Sequence, residues 1–136
     1  MSLEQARKHL DLATEQLEKA QTDSWEPEDA ASCVTNTFYA YENLIVAVAE
    51  AHGITWTKSH YKKAELAEEL VTNNILKTNL KDEILRLNDL RKDVSYGEEG
   101  EELSEENLEK LVTDLEDFVG EVESIVGDLE NVDEED

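Results

Sequence analysis

Leu3, Ala6, Leu10, Ala13, Leu17 and Ala20 recur at alternating steps of three and four. That spacing draws one narrow apolar stripe and predicts a helix from an N-cap at Ser2 to about Gln21, packed on one side only. Thr22-Asp23-Ser24 interrupts the stripe, and Pro27 suits the first turn of the next helix, where its missing N–H has no partner to lose. From Asp29 to His52 the pattern changes. Only Asp29, Glu42 and Glu50 break a nearly uncharged run, and Val34, Phe38, Tyr41, Ile45 and Val48 keep helical spacing. Ala30, Ala31, Ala40, Ala47, Ala49 and Ala51 spread the apolar surface round most of the circumference. Such a helix needs cover on several sides, which places it at the centre of the fold, and Gly53 ends it.

Thr57 or Ser59 can cap a third helix whose inward face would be Tyr61, Ala64, Ala67, Leu70 and Val71, ending at Thr72-Asn73-Asn74. A fourth is expected from Thr78 or Asn79, carrying Leu80, Ile84, Leu87, Leu90 and Val94, and closing at Tyr96-Gly97. After an acidic loop, Ser104 caps the last helix, where Leu108, Leu111/Val112, Leu115, Phe118/Val119, Val122, Ile125/Val126 and Leu129 follow a seven-residue repeat. Gly120 and Gly127 interrupt it and suggest close approach of a neighbouring helix. Short links favour antiparallel neighbours. The chain is therefore expected to be all-α, an up-and-down bundle of four to five helices forming one domain over residues 1–129, with 130–136 as an acidic disordered tail. The apolar stripes exceed the needs of one copy, so a homodimer through the second or the last helix is expected.

Composition agrees with a helical fold: one proline, five glycines and little strand-type alternation in 136 residues. The formal net charge of −23 excludes generic electrostatic attraction to nucleic acid or an anionic membrane. The charge is unevenly placed, because 18 of the 35 acids but only Lys110 among the 12 Lys and Arg lie from Glu98 onward. Such asymmetry suits solvation, adaptation to a salty cytoplasm or an acidic surface for a basic partner. Cys33 is the single cysteine and is expected to be a buried small hydrophobe in a reducing compartment. No apolar run has signal or transmembrane length, so the expected location is cytoplasmic.

The strongest catalytic templates are missing. There is no glycine-rich phosphate loop, no Cys-x-x-Cys and no Glu-x-x-His pair, so neither a metal nor a cofactor is expected. His9 lies on a surface helix, and His52 sits where it can meet the last carbonyls of the central helix. His60 opens the third helix beside Trp56 and Tyr61 and is the histidine best placed to bind a ligand. The remaining candidate is Leu90-Arg91-Lys92-Asp93-Val94-Ser95-Tyr96-Gly97, a polar cluster beside an apolar seam. There Arg91 can bind a phosphate oxygen or stabilise developing negative charge, Tyr96 can donate a hydrogen bond, and Lys92 and Asp93 can support binding. The structural alternative is an ion pair between Arg91 and a carboxylate that pins the loop.

Ala31, Phe38-Tyr39-Ala40-Tyr41-Glu42-Asn43, Ala47, Gly53, His60, Leu90-Arg91 and Tyr96-Gly97 together resemble the HEPN superfamily over residues 3–129. The resemblance implies a four- to five-helix bundle, often dimeric. Many members are metal-independent ribonucleases, or toxins paired with a nucleotidyltransferase antitoxin. It also implies an Arg, polar residue and His signature, shared by two copies across one cleft. Arg91 matches the arginine, Lys92 stands at the polar position, Tyr96 stands where the histidine belongs, and Glu98 stands where some members carry a modified tyrosine. A tyrosine, with a pKa near 10, is a poor general acid or base at pH 7. The resulting expectation is a non-catalytic dimeric interaction or ligand-binding module with a nucleotidyltransferase-type partner in a toxin–antitoxin-like context. One alternative is a metal-independent endoribonuclease using Arg91 with Tyr96 or His60. The other is an acidic adaptor or nucleic-acid mimic that captures a basic protein through the last helix.

Overall fold

A computed structural model describes the backbone of residues 2–21, 27–95 and 108–135, and side chains except those of 27–30, 93–95 and 133–135 within these spans. Five helices account for most of it: α1 (Leu3–Ala20), α2 (Pro27–His52), α3 (His60–Thr72), α4 (Lys81–Ser95) and α5 (Leu108–Glu135). There is no strand among the described residues. No helix is long and apolar enough to cross a membrane.

The local signals act where their chemistry places them. Ser2 caps α1 by accepting from Gln5 N at 3.1 Å, and Ser59 caps α3 by accepting from Lys62 N at 3.2 Å. Gly53 takes φ 69° just past α2, which lets Ile54 N reach Ala49 O at 2.8 Å and satisfy a terminal carbonyl. Asn74 does the same after α3 at φ 62°, with Ile75 N bonded to Leu70 O at 2.9 Å. Asn79 Oδ1 accepts from Lys81 N at 3.0 Å and starts α4.

Packing follows the stripes. Ala6, Leu10, Ala13, Leu17 and Ala20 are all buried along α1. α1 runs antiparallel to α2, since Ser2 N bonds Glu50 O at 2.9 Å while His9 Nδ1 lies 3.0 Å from Asn43 Oδ1. It also runs antiparallel to α5, where Arg7 Nη1 donates to both Glu123 oxygens at 3.0 Å and its other nitrogens reach Glu130, while Gln21 Nε2 donates to Glu116 nearer the start of α5. α2 touches all four other helices. Phe38, Leu44, Ile45, Ala47, Val48, Ala49 and Ala51 are fully shielded from water.

Several expectations need correction. Tyr61 is 56% exposed, and Leu66 is buried instead, because the first turn of α3 meets α2 through His60 and Lys63, which rotates Tyr61 outward. α2 packs against α1, α3, α4 and α5, which together cover most of its described length. A Cβ at Gly120 or Gly127 would meet nothing within 4 Å, so neither glycine marks a close helix crossing. α5 runs on to Glu135 past the expected start of a tail at 130, and Arg7 supplies the reason by holding Glu130. The side chain of Val94, and all of Tyr96-Gly97 and Ser104, lie outside what is described.

Three outcomes follow for stability. Gly120→Ala should stabilise the fold by up to about 1 kcal/mol, read as a higher urea midpoint, because a helical backbone gains and no clash opposes it. Ile45→Ala should cost roughly 2–5 kcal/mol in the same assay. Arg7 holds the Glu130 carboxyl below its ordinary pKa, chiefly through their hydrogen bond, so this contribution is present at neutral pH and fades as pH falls through the lowered value. The stability gap between the native chain and Glu130→Gln should therefore be small at pH 7, under about 1 kcal/mol, and close on acidification.

Candidate functional site

Two successive turns of the core helix carry the site. Phe38 is fully buried, Tyr39 beside it is half-buried, and Glu42, one turn on, is a carboxylate with only 3% of its surface exposed. α4 lays Arg91 across the two aromatic rings: its Cζ is 4.9 Å from the centroid of Phe38 and 5.5 Å from that of Tyr39. Electron-rich ring faces attract a guanidinium in this position. Nη2 donates to Asn88 Oδ1 at 2.8 Å, one turn back along α4, and Nη1 makes a long contact of 3.4 Å with the Tyr39 hydroxyl. Nε is buried and has no hydrogen-bond partner among the described residues. No carboxylate pairs with Arg91 among the described residues, and the loop that an ion pair would pin lies outside them.

α3 approaches the same rings with its first turn. The imidazole of His60 stands edge-on to Phe38, with centroids 5.1 Å apart, and its Nδ1 lies 2.7 Å from Glu42 Oε2. A carboxylate accepts in such a contact, which places the proton on Nδ1 and leaves Nε2 without a hydrogen bond among the described residues. The other oxygen of Glu42 is 3.7 Å from Lys63 Nζ, one turn along α3. Lys63 in turn lies over the Trp56 ring at 5.7 Å, and Trp56 Nε1 donates to Glu50 Oε1 at 3.0 Å. A buried carboxylate is tolerable here because two basic side chains meet it.

Of the residues expected from sequence, Arg91 and His60 come together on the ring of Phe38. Lys92 is exposed, one position round α4. The side chain of Asp93 and all of Tyr96 lie outside the described residues. Sequence reasoning left out the roles of Phe38 and Tyr39 as a shelf, Asn88 as a brace, and Glu42 with Lys63 as the support of His60. Glu42 was the available signal, since a lone acid in the middle of an apolar helix needs a cationic partner.

The HEPN domain family model matches residues 2–125, nearly the whole described bundle. This chain belongs to the HEPN family. No curated protein and no solved structure gives a significant match. The HEPN assignment agrees with the all-helical bundle and places the Arg91 shelf, His60 and Glu42 inside the matched domain. Among the described residues of this HEPN bundle, no group of His, Cys, Asp and Glu side chains is arranged to hold a metal ion.

Glu42→Gln should cost about 1–3 kcal/mol, because it weakens two contacts to a group withdrawn from water. Lys92→Ala, at an exposed position, should stay within about 0.5 kcal/mol. Urea unfolding of both variants tests whether the Glu42 cluster or the charged surface beside it supports the site.

Proposed function

We propose that this HEPN bundle is a non-catalytic, dimeric module that binds an anionic ligand at Arg91 and works beside a nucleotidyltransferase-type partner, as in a toxin–antitoxin pair. The observation that carries the reading is the state of Arg91. In a chain with 35 acids, its guanidinium rests on two aromatic rings and an amide and has no carboxylate partner among the described residues. Such a group keeps its charge available for a phosphate, and the exposed part of Tyr39 offers a face for a base or ring attached to it. Tyr96 at the histidine position favours binding over cleavage, because a neutral phenol exchanges protons poorly at pH 7. Dimerisation enters through the HEPN resemblance, which implies a cleft shared by two copies.

One observation favours a second reading, a metal-independent endoribonuclease. His60 and Arg91 abut the same Phe38 ring, and Glu42 orients the imidazole as it would orient a general base. In that case Arg91 would stabilise charge on the phosphate and His60 Nε2 would exchange the proton.

Incubation with mixed RNA in the presence of a chelator separates the two. The binding module leaves the RNA intact, and cleavage that disappears in both Arg91→Ala and His60→Ala would replace it with the nuclease. Titration with a nucleoside triphosphate should show saturable binding, weakened roughly tenfold or more by Arg91→Ala through loss of a charge-assisted contact. Light scattering should give twice the 15.4 kDa of one chain.

A further inference from the structure

A second site is built where α2, the link between α3 and α4, α4 itself and α5 meet. A cleft of about 410 Å³ opens there, floored by Tyr41 and Phe118 and walled by Glu83, Asp114, Asp117 and Glu121. The two rings lie 5.8 Å apart at 56° and pack against each other. Glu121 is fixed in the wall by two donors, the Lys77 backbone N–H at 2.9 Å and the Thr78 hydroxyl at 3.0 Å. Glu83 pairs with Arg86 at 2.6 Å and Asp114 with Lys110 at 2.7 Å, but neither cation lines the cleft. Asp117 has no ion pair among the described residues.

Tyr41 separates this cleft from an ordinary acidic surface. It is 1% exposed, yet it lines the cleft, and its hydroxyl makes no hydrogen bond among the described residues. Burial, and then the charges of Glu83 and Asp114, push its phenol well above the ordinary range, so it stays protonated. With its ring enclosed and no protein partner among the described residues, the hydroxyl is left to take one from a ligand or water in the cleft. Carboxylates that do not converge on a point are unsuited to a bare metal ion, and no group of His, Cys, Asp and Glu among the described residues could hold one. Separated carboxylates beside a neutral hydroxyl suit a flat, multi-donor organic cation.

We infer that this cleft binds an alkylguanidinium, whose N–H groups reach Asp117, Asp114 and the Tyr41 oxygen. The group is supplied by a free alkylguanidine or by an arginine side chain of a basic partner protein. The site is separate from the Arg91 shelf and stands whether or not that shelf binds an anion.

Calorimetric titration of the full chain with agmatine and with the capped tripeptide Gly-Arg-Gly tests this. At least one probe should bind saturably at one per chain. Asp117→Asn should weaken it roughly tenfold and Tyr41→Phe roughly fivefold, as expected for losing a charge-assisted and a neutral hydrogen bond respectively. Asp11→Asn, on the exposed face of α1, should change it less than about twofold. A tripeptide at least ten times tighter than agmatine identifies a protein arginine as the source, and agmatine as tight or tighter identifies the free amine. Absence of saturable binding by both probes overturns the inference, as does an Asp11→Asn effect equal to that of Asp117→Asn, which would mean diffuse attraction to the net charge. Tyr41→Phe keeps the ring and should melt no lower than the native chain, so a loss of binding in that variant reports the hydroxyl.

Discussion

The 26 residues of α2 form a rod that is apolar on nearly every side, and covering it is the constraint from which the rest of the bundle follows. Each fully buried large side chain on it contributes about 1.5–3 kcal/mol relative to exposure, so Phe38, Leu44, Ile45 and Val48 outweigh any single surface ion pair. One neighbour cannot bury such a surface. α1 lies along it antiparallel, α5 closes over α1 and α2 together, and the shorter α3 and α4 fill the remaining side. The small residues Ala40, Ala47, Ala49 and Ala51 are what allow four helices to crowd around one.

Rigidity at the centre gives the polar groups their positions. Glu42 is buried in this rod and is met by His60 and Lys63 from α3, while Phe38 receives the His60 ring on one contact and the Arg91 guanidinium on another. Three residues after Phe38, Tyr41 turns its ring toward Phe118 and the acidic cleft. The same helix therefore presents a cationic, aromatic shelf and an anionic, aromatic cleft. Opposite charges are kept apart by the core itself, which is how an arginine in so acidic a chain remains without a carboxylate among the described residues.

Much of this was legible in the residues. The three-and-four stripe of α1, the caps at Ser2 and Ser59, and the stops at Gly53 and Asn74 are local effects, and local chemistry decides them. The HEPN assignment was legible for a related reason, because the spacing of Phe38, Gly53, His60 and Arg91 reflects helix lengths. What could not be read is tertiary. The outward rotation of Tyr61 depends on His60 and Lys63 finding Glu42, and the bracing of Arg91 by Asn88 and Tyr39 depends on how α4 crosses α2. Gly120 and Gly127 looked like crossing points because glycine is costly in a helix, yet open space lies beside both. The acidic cleft is not legible in the residues, because Tyr41 reads as one more core aromatic until Asp117 and Glu83 are brought beside it from two other helices.

Amide hydrogen exchange followed residue by residue tests the central position of α2 most directly. Amides from Phe38 to Val48 should be the slowest in the chain and should exchange only through global unfolding, with free energies equal to that from denaturant titration. Exchange of that segment through local opening, with α1 or α5 protected more strongly, would contradict an account in which every other helix is placed by the need to cover it.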